Sequence, residues 1–239
     1  MDNVLINIES LHIGYKQPVV SNINAKLNAG DFCVLLGANG TGKSTLLNTI
    51  RGTLTPKGGR VLLNNKSIIS IQDKELATII SVVSTYTNFA SELTVYDIIS
   101  FGRTPYIGIF SRLSQTDKNI ISKYISKLEI DSLVTNKFNQ LSDGQKQRVM
   151  VCRALVQDTL LILLDEPTAH LDIENRIKIF ELLQQICSEE NKTVICSTHE
   201  IENALNFSNK VWMIDKKGQF EADLTSDKNK DSVLKKLFS

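Results

Sequence analysis

The chain has 239 residues, of which 42% are hydrophobic and 22% charged, with a formal net charge of +1. This composition predicts a globular protein with one substantial core. The 27 basic and 26 acidic residues are balanced and the basic ones are not concentrated in any segment, so we expect no nucleic-acid partner. No apolar run reaches the roughly 18 residues that a membrane-spanning helix needs, and the first residues lack the pattern of a signal peptide.

The cysteines predict a cytoplasmic location. Each lies singly inside an apolar segment, without the Cys-x-x-Cys spacing of a metal or redox site. We therefore expect buried, reduced thiols that act as small apolar side chains. They are Cys33, Cys152, Cys187 and Cys196.

Short apolar runs alternate with helical patterns along the chain, which is typical of an α/β protein with a mostly parallel sheet. The predicted strands are residues 4–8, 32–36, 61–63, 80–83, 160–164, 193–197 and 211–214. Residues 32–36 and 160–164 are apolar at every position, as in strands buried on both faces. Residues 4–8 alternate, which fits a peripheral sheet with one face in water.

A helical pattern replaces the strand pattern between about residues 85 and 157. Apolar side chains recur there at spacings of three and four residues, which predicts three helices inserted into the α/β core. They are Val95, Ile98 and Ile99, then Ile120, Ile121, Tyr124, Ile125 and Leu128, then Val149, Cys152, Leu155 and Val156. A further short amphipathic helix is predicted near the end of the chain.

A glycine-rich segment, Gly37-x-x-x-x-Gly42-Lys43-Ser44, follows predicted strand 32–36 and precedes a helix expected to begin near Thr45. Glycines allow successive backbone N–H groups to point inward, and the helix N-terminus adds about half a positive charge. Lys43 can reach the β- and γ-phosphates of ATP, and the Ser44 hydroxyl can bind Mg²⁺. The predicted nucleotide-binding residues of this loop are Gly37, Asn39, Gly40, Thr41, Gly42, Lys43, Ser44 and Thr45, with the hydroxyl of Thr41 or Thr45 on the α-phosphate.

Two adjacent carboxylates, Asp165 and Glu166, follow the apolar strand 160–164. Carboxylates at the end of a buried strand are costly unless cations or hydrogen bonds compensate their charge. Asp165 can hold Mg²⁺ through water. Glu166, on the other side of the pleat, can accept a proton from an attacking water, which predicts it as the general base of ATP hydrolysis.

The segment Leu141-Ser142-Asp143-Gly144-Gln145 lies between the glycine-rich loop and the acidic strand. Ser142 is a favourable helix N-cap, and Gly144 permits close backbone approach to a ligand. With the two preceding motifs, this segment resembles ABC-type ATPases, and the resemblance extends from Tyr15 to the region of His199. It implies that Ser142, Gly144 and Gln145 contact ATP held by the opposite subunit of a head-to-tail homodimer.

The resemblance also implies roles for single residues. Tyr15 would stack on adenine, and His199 would contact the γ-phosphate and orient the attacking water. Asp172 would anchor a loop that crosses the dimer interface. The sequence departs from the family at Thr85, where a Gln usually contacts Mg²⁺. Either the Thr85 hydroxyl binds the metal directly or through water, or coupling depends on residues 86–91.

Residues 94–106 and 166–172 resemble importer ATPases for ferric siderophores, haem and vitamin B12. This implies an ATP-hydrolysing subunit on the inner face of the cell membrane, acting through separate permease subunits and indirectly with an external substrate-binding protein. The alternative is a soluble ABC ATPase without a permease, such as one for iron–sulfur cluster assembly. A nucleotide-binding module without turnover is disfavoured because Lys43, Glu166 and His199 are all present.

The predicted fold class is therefore α/β. We expect a P-loop NTPase core with a mostly parallel sheet and flanking helices, an N-terminal antiparallel β subdomain and an inserted α-helical subdomain. One domain would span 1–239, with the α/β core at about 1–85 and 157–226, the helical subdomain at about 86–156 and the C-terminal helix at about 227–239.

Overall fold

The computed structural model describes residues 4–83, 89–90, 92–107, 112–169 and 171–222. Its strands are β1 (Val4–Ile13), β2 (Val20–Asn28), β3 (Phe32–Gly37), β4 (Gly58–Leu63), β5 (Lys66–Ser67), β6 (Ile80–Val83), β7 (Leu161–Asp165), β8 (Thr193–Thr198), β9 (Lys210–Ile214) and β10 (Phe220–Glu221). Its α-helices are α1 (Lys43–Ile50), α2 (Asp73–Ile79), α3 (Val95–Ser100), α4 (Gln115–Lys127), α5 (Asp143–Val156), α6 (Ile173–Glu190) and α7 (Ile201–Phe207). Short 3-10 helices lie at Ile68–Ser70, Phe101–Tyr106, Asp131–Leu133 and Phe138–Gln140.

The strands form two sheets. One has four antiparallel strands in the order β2-β1-β4-β5, which agrees with the predicted N-terminal antiparallel unit. The other has six strands in the order β10-β9-β3-β8-β7-β6, all parallel except β10. The carboxyl ends of β3, β7 and β8 therefore lie side by side at one edge, where open α/β sheets bind ligands.

The six-stranded sheet separates two apolar cores. Val34 and Leu36 of β3 pack into the core formed with α3 to α7. Cys33 and Leu35 of the same strand pack into the core formed with α1 and the four-stranded sheet. This two-sided burial confirms the interpretation of the all-apolar strands, because successive strand side chains point to opposite faces.

The predicted boundaries need small corrections. Leu160 precedes β7 rather than beginning it and is 49% exposed. Helix α1 begins at Lys43 instead of near Thr45. Strands β2, β5 and β10 were not predicted, because β2 is rich in polar residues and β5 and β10 have only two residues each.

The segment between β6 and β7 contains α3, α4 and α5 with 3-10 turns, as the periodicity predicted. The close approach of Gly102 to α5 depends on its missing side chain, since a Cβ would collide with the Arg153 carbonyl oxygen. All four cysteines are buried. Within the described residues, no helix is long and apolar enough to cross a membrane. The predicted C-terminal helix lies outside these residues.

Candidate functional site

The glycine-rich loop leads directly from β3 into α1. Gly42 is the N-cap of α1 with φ of 111°, and Gly40 has φ of 81°, both in the region that favours glycine. A Cβ on Gly37 would lie 2.7 Å from Thr41 Oγ1 and 2.8 Å from the Ile214 carbonyl oxygen. The glycines are thus required by the turn itself.

The N-terminus of α1 suits an anion. Four later helices satisfy their first N–H groups with a side chain: α3, α4 and α5 have capping boxes, and Asp172 caps α6. Helix α1 has no side-chain cap and no acidic residue in its first turn. Its first N–H groups and its positive dipole end are therefore available to phosphate oxygens.

Lys43 is buried at this N-terminus. Its Nζ donates hydrogen bonds to the carbonyl oxygens of Gly37 at 2.8 Å and Ala38 at 3.1 Å, and lies 3.9 Å from Glu166 Oε1. Burial lowers the pKa of the Lys43 ammonium, while Glu166 and Asp165 act in the opposite direction. The loop therefore holds a cation against its own carbonyl groups, where the charge of a polyphosphate can be paired.

The remaining loop hydroxyls differ in their surroundings. Thr41 Oγ1 donates to the Ala38 carbonyl oxygen at 2.9 Å, so this side chain already braces the loop. Ser44 is exposed and Thr45 half-buried in the first turn of α1. Ser44 is therefore accessible to a metal ion.

Asp165 and Glu166 lie at the carboxyl end of β7, and both contact Ser197 on β8. Asp165 is paired with Ser197 in the parallel register, and Ser197 Oγ donates to Asp165 Oδ1 at 2.6 Å. The Glu166 backbone N–H donates to the carbonyl oxygen of Ser197 at 3.1 Å and to its Oγ at 3.0 Å. These contacts compensate the carboxylate at the strand end, as its position in the sequence required.

His199 lies beside Glu166 at the same edge of the sheet. Its Nδ1 is 3.7 Å from Glu166 Oε2, and its side chain is 60% exposed. Glu166 thus lies between the Lys43 ammonium and the His199 imidazole. A cavity of about 320 Å³ opens here, lined by Leu36, Gly37, Ala38, Asn39, Glu166, Thr198, His199 and Ile201.

Other predicted residues do not line this cavity, as far as the described chain shows. Ser142 and Gln145 form the capping box of α5, with Gln145 N–H donating to Ser142 Oγ at 3.3 Å. Gly144 follows in the first turn of α5. Asp172 accepts the Asn175 backbone N–H at 2.8 Å, and this hydrogen bond lowers the pKa of Asp172.

Tyr15 lies in the turn between β1 and β2 and is 64% exposed. The end of this turn packs against the glycine-rich loop, because a Cβ on Gly42 would lie 3.6 Å from Val19 Cγ1 and 3.2 Å from Val20 Cγ2. Tyr15 is therefore an exposed ring on the turn that adjoins the loop, which is compatible with its predicted contact with adenine.

Thr85, the predicted unusual Mg²⁺ ligand, lies outside the described residues. Among the residues described, Ser44 and Asp165 have the oxygen atoms that Mg²⁺ prefers. Ser44 is exposed in the first turn of α1, and Asp165 lies at the end of β7, close enough to the Lys43 ammonium to act on its pKa.

Two residues of this site, Ser197 and Glu200, carry no recognisable signal in the sequence. Ser197 contacts the Asp165 carboxylate and the Glu166 backbone N–H, and only the β7–β8 register shows this. Glu200 accepts from Thr168 Oγ1 at 2.7 Å and lies 3.6 Å from Arg176 Nε. It thereby joins the segment after His199 to the loop that follows Glu166.

A larger cavity, of about 470 Å³, lies between the end of α4 and α6. Its lining includes Lys127, Glu129, Arg148, Lys178 and Glu181, so charges of both signs are present. We place the candidate site at the smaller cavity because Glu166 and His199 line it and Lys43, at the start of the uncapped helix, lies 3.9 Å from Glu166 Oε1.

The comparisons with known proteins agree with this geometry. The ABC transporter family model matches residues 20–169. An uncharacterized ABC transporter ATP-binding protein of Methanocaldococcus jannaschii is 37% identical over 88% of this chain and 73% of its own length. The iron(3+)-hydroxamate import ATP-binding protein of Bacillus subtilis is 31% identical over 98% of this chain and 87% of its own.

One solved structure is that of an ABC transporter assigned to the metal-chelate type, in an inward-facing conformation. It is 29% identical with a TM-score of 0.84, and the match covers 99% of this chain and 89% of that chain. The family model covers more than half of the chain, and both relatives exceed 30% identity over most of their length. The chain therefore belongs to the ABC transporter family, as one of its ATP-hydrolysing subunits.

Proposed function

We propose that this chain powers an importer for an iron–siderophore, haem or cobalamin-type substrate, through separate permease subunits. The observation that carries the catalytic part is that Glu166 and His199 line one cavity, while Lys43, at the uncapped N-terminus of α1, lies 3.9 Å from Glu166 Oε1. The substrate class is supported by the iron(3+)-hydroxamate import relative, which matches 98% of the chain. The chain would act at the inner face of the membrane, and the external binding protein would contact only the permease.

Each side chain has a distinct part in hydrolysis. The loop N–H groups and Lys43 hold the phosphates of ATP. Glu166 accepts a proton from the attacking water, and His199 orients that water and contacts the γ-phosphate. Ser44 and Asp165, with Thr85 as a further ligand, would hold Mg²⁺, which supplies positive charge to the phosphate oxygens.

The ATP site of one copy of the chain is completed by residues of a second copy. These residues are Ser142, Gly144 and Gln145. They lie at the exposed N-terminus of α5, away from the cavity of their own subunit. A head-to-tail homodimer would bring this helix N-terminus against the γ-phosphate bound by the partner. Asp172 would order the loop between the two sites, and residues 86–156 would act as the subdomain that carries α5.

The substitution Glu166→Gln tests the catalytic assignment. Removing the base is expected to lower the hydrolysis rate by roughly 10²- to 10⁴-fold and to trap an ATP-bound dimer. Sedimentation with and without ATP would measure the dimer, and Glu9→Gln, on the four-stranded sheet, is a matched control. A normal rate in the Glu166→Gln variant would refute the base assignment.

Membrane fractionation tests the permease partnership. A transporter subunit is expected to sediment with membranes and to leave them with its permease in detergent. A deletion strain should lose uptake of one substrate among ferric siderophore, haem and cobalamin. Recovery of the chain in the soluble fraction alone, with all three uptakes intact, would favour an ABC ATPase without a permease.

A further inference from the structure

Ser197 has a buried hydroxyl that contacts the Asp165 carboxylate and the Glu166 backbone N–H. The residue has no exposed surface, and it occupies the position on β8 that is in register with Asp165 on β7. Its Oγ donates to Asp165 Oδ1 at 2.6 Å and accepts the Glu166 N–H at 3.0 Å. A serine hydroxyl has one hydrogen to donate, so Asp165 receives the whole of this donor capacity.

These contacts act differently on the two acidic residues. Asp165 is held through its side chain, where a short hydrogen bond to a charged oxygen is of the stronger kind. Glu166 is held through its backbone, which also donates to the Ser197 carbonyl oxygen at 3.1 Å. Loss of the hydroxyl would therefore release the Asp165 carboxylate while leaving Glu166 one backbone contact.

We infer that Ser197 is a positioning residue, which fixes one oxygen of Asp165 so that the other can serve the metal ion. The inference rests on the proposed role of Asp165 in holding Mg²⁺. A carboxylate whose rotation is restrained loses less conformational freedom when it binds the metal, either directly or through water. Ser197 itself touches neither nucleotide nor reacting water in this scheme.

The test is the Mg²⁺ dependence of nucleotide binding, followed with a fluorescent ATP analogue. The Mg²⁺ midpoint is the Mg²⁺ concentration at which the enhancement of analogue binding is half-maximal. Ser197→Ala is expected to raise this midpoint by about tenfold, since hydrogen bonds to charged groups have effects of this size. Binding in EDTA should be unchanged, because the loop and Lys43 are intact. The rate of hydrolysis at saturating Mg²⁺ should fall less than the rate at limiting Mg²⁺.

Ser81→Ala is the matched control for removal of a buried serine hydroxyl from the same sheet. Ser81 lies on β6, is 1% exposed and accepts from Thr159 Oγ1 at 2.9 Å, remote from the carboxylates. The Ser81→Ala variant should leave the Mg²⁺ midpoint unchanged. Ser197→Thr, which keeps the hydroxyl, should restore the wild-type midpoint, whereas Ser197→Cys should not, because a thiol is a weak donor.

The outcomes separate this inference from the proposed function. If Asp165→Asn shifts the Mg²⁺ midpoint and Ser197→Ala does not, the positioning role of Ser197 is wrong and the metal role of Asp165 stands. If Asp165→Asn leaves the Mg²⁺ midpoint unchanged, the proposed metal role of Asp165 is wrong. If Ser197→Ala does not fold, the Ser197→Cys variant decides, and a wild-type midpoint there would overturn the inference.

Discussion

Glu166 has a backbone φ of 51°, in the left-handed region that non-glycine residues rarely adopt. Two hydrogen bonds from its N–H to Ser197 hold this conformation. The conformation turns the chain out of β7 directly after Asp165, so that the Glu166 side chain reaches the cavity shared with His199. Residues held in unfavourable backbone regions persist where the surrounding structure determines them, and such residues concentrate at functional sites.

A pair of substitutions at Glu166 measures this strain. The left-handed conformation costs about 1–2 kcal/mol for an L-residue, and glycine loses roughly 0.4–1 kcal/mol through the greater entropy of its unfolded chain. Glu166→Gly is therefore expected to be more stable than Glu166→Ala by about 0.5–1 kcal/mol in urea unfolding. Equal stabilities, or a less stable glycine variant, would show that the backbone is not strained. Both variants should lack the base and hydrolyse ATP slowly.

Arg103 joins three elements of the helical segment. From the 3-10 helix Phe101–Tyr106, its Nε donates to Asp117 Oδ1 of α4 at 2.8 Å. Its Nη1 donates a second hydrogen bond, of 2.9 Å, to the Val156 carbonyl oxygen at the end of α5. The guanidinium also lies 4.1 Å from the centre of the Tyr106 ring. Because Asp117 is part of the capping box of α4, the buried Arg103–Asp117 pair connects the start of α4 to the end of α5.

Asp117 shows that this connection is electrostatic. Burial acts to raise its pKa, but hydrogen bonds from Ser114 and Arg103 outweigh burial, and the pKa of Asp117 is lowered. The lowered pKa means that the ionised form stabilises the fold. This contribution is present above the ordinary carboxyl pKa and is lost as the pH falls through the lower, folded value.

Arg103→Leu is expected to destabilise the protein by about 3 kcal/mol, because removing one partner leaves a buried charge uncompensated. Arg60→Leu is the control, since Arg60 and Glu9 form a pair of similar length, 2.6 Å, on exposed side chains. Such exposed pairs contribute little to stability, because water screens the two charges. Denaturant unfolding of both variants gives the comparison, and similar losses in the two would contradict the importance of burial.

Glu190 connects the helical segment with the core. It lies at the end of α6 and accepts from Tyr124 Oη of α4 at 2.7 Å. Lys123 and Lys127, also on α4, lie 2.8 and 3.3 Å from Glu190 Oε1. Burial acts to raise the pKa of Glu190, but the hydrogen bonds from these three side chains lower it to about 2. The contact therefore joins α4 to the α/β core by a charged cluster.

NMR titration of the Glu190 carboxyl is expected to give a midpoint of about 2, below the ordinary 4.5. A depressed folded pKa means that the stabilisation is complete above pH 4.5 and is lost as the pH falls towards 2. Glu190→Gln should accordingly be less stable than the wild type at neutral pH, with the difference shrinking in that acidic range. A difference that does not change with pH would show that the carboxylate is not stabilised by the cluster.

The motifs of the glycine-rich loop and the acidic strand could be recognised without knowledge of the fold, because the chemistry of phosphate binding restricts which residues can occupy neighbouring positions. Lys43 and Ser44 follow their glycines directly, and Asp165 and Glu166 end an apolar run. Local periodicity likewise predicted the helices between β6 and β7. The polar strand β2 and the two-residue strand β10 were missed because tertiary packing, and not local pattern, decides their pairing.

The sequence by itself determined the chemical groups of the site and the α/β class, since both depend on residues close together in the chain. Only the tertiary structure decided which distant groups meet. The strand order places β7 beside β8, and this alone brings Ser197 to Asp165 and His199 to Glu166. Residues 32 apart are brought together by the sheet register, which depends on the packing of the whole molecule.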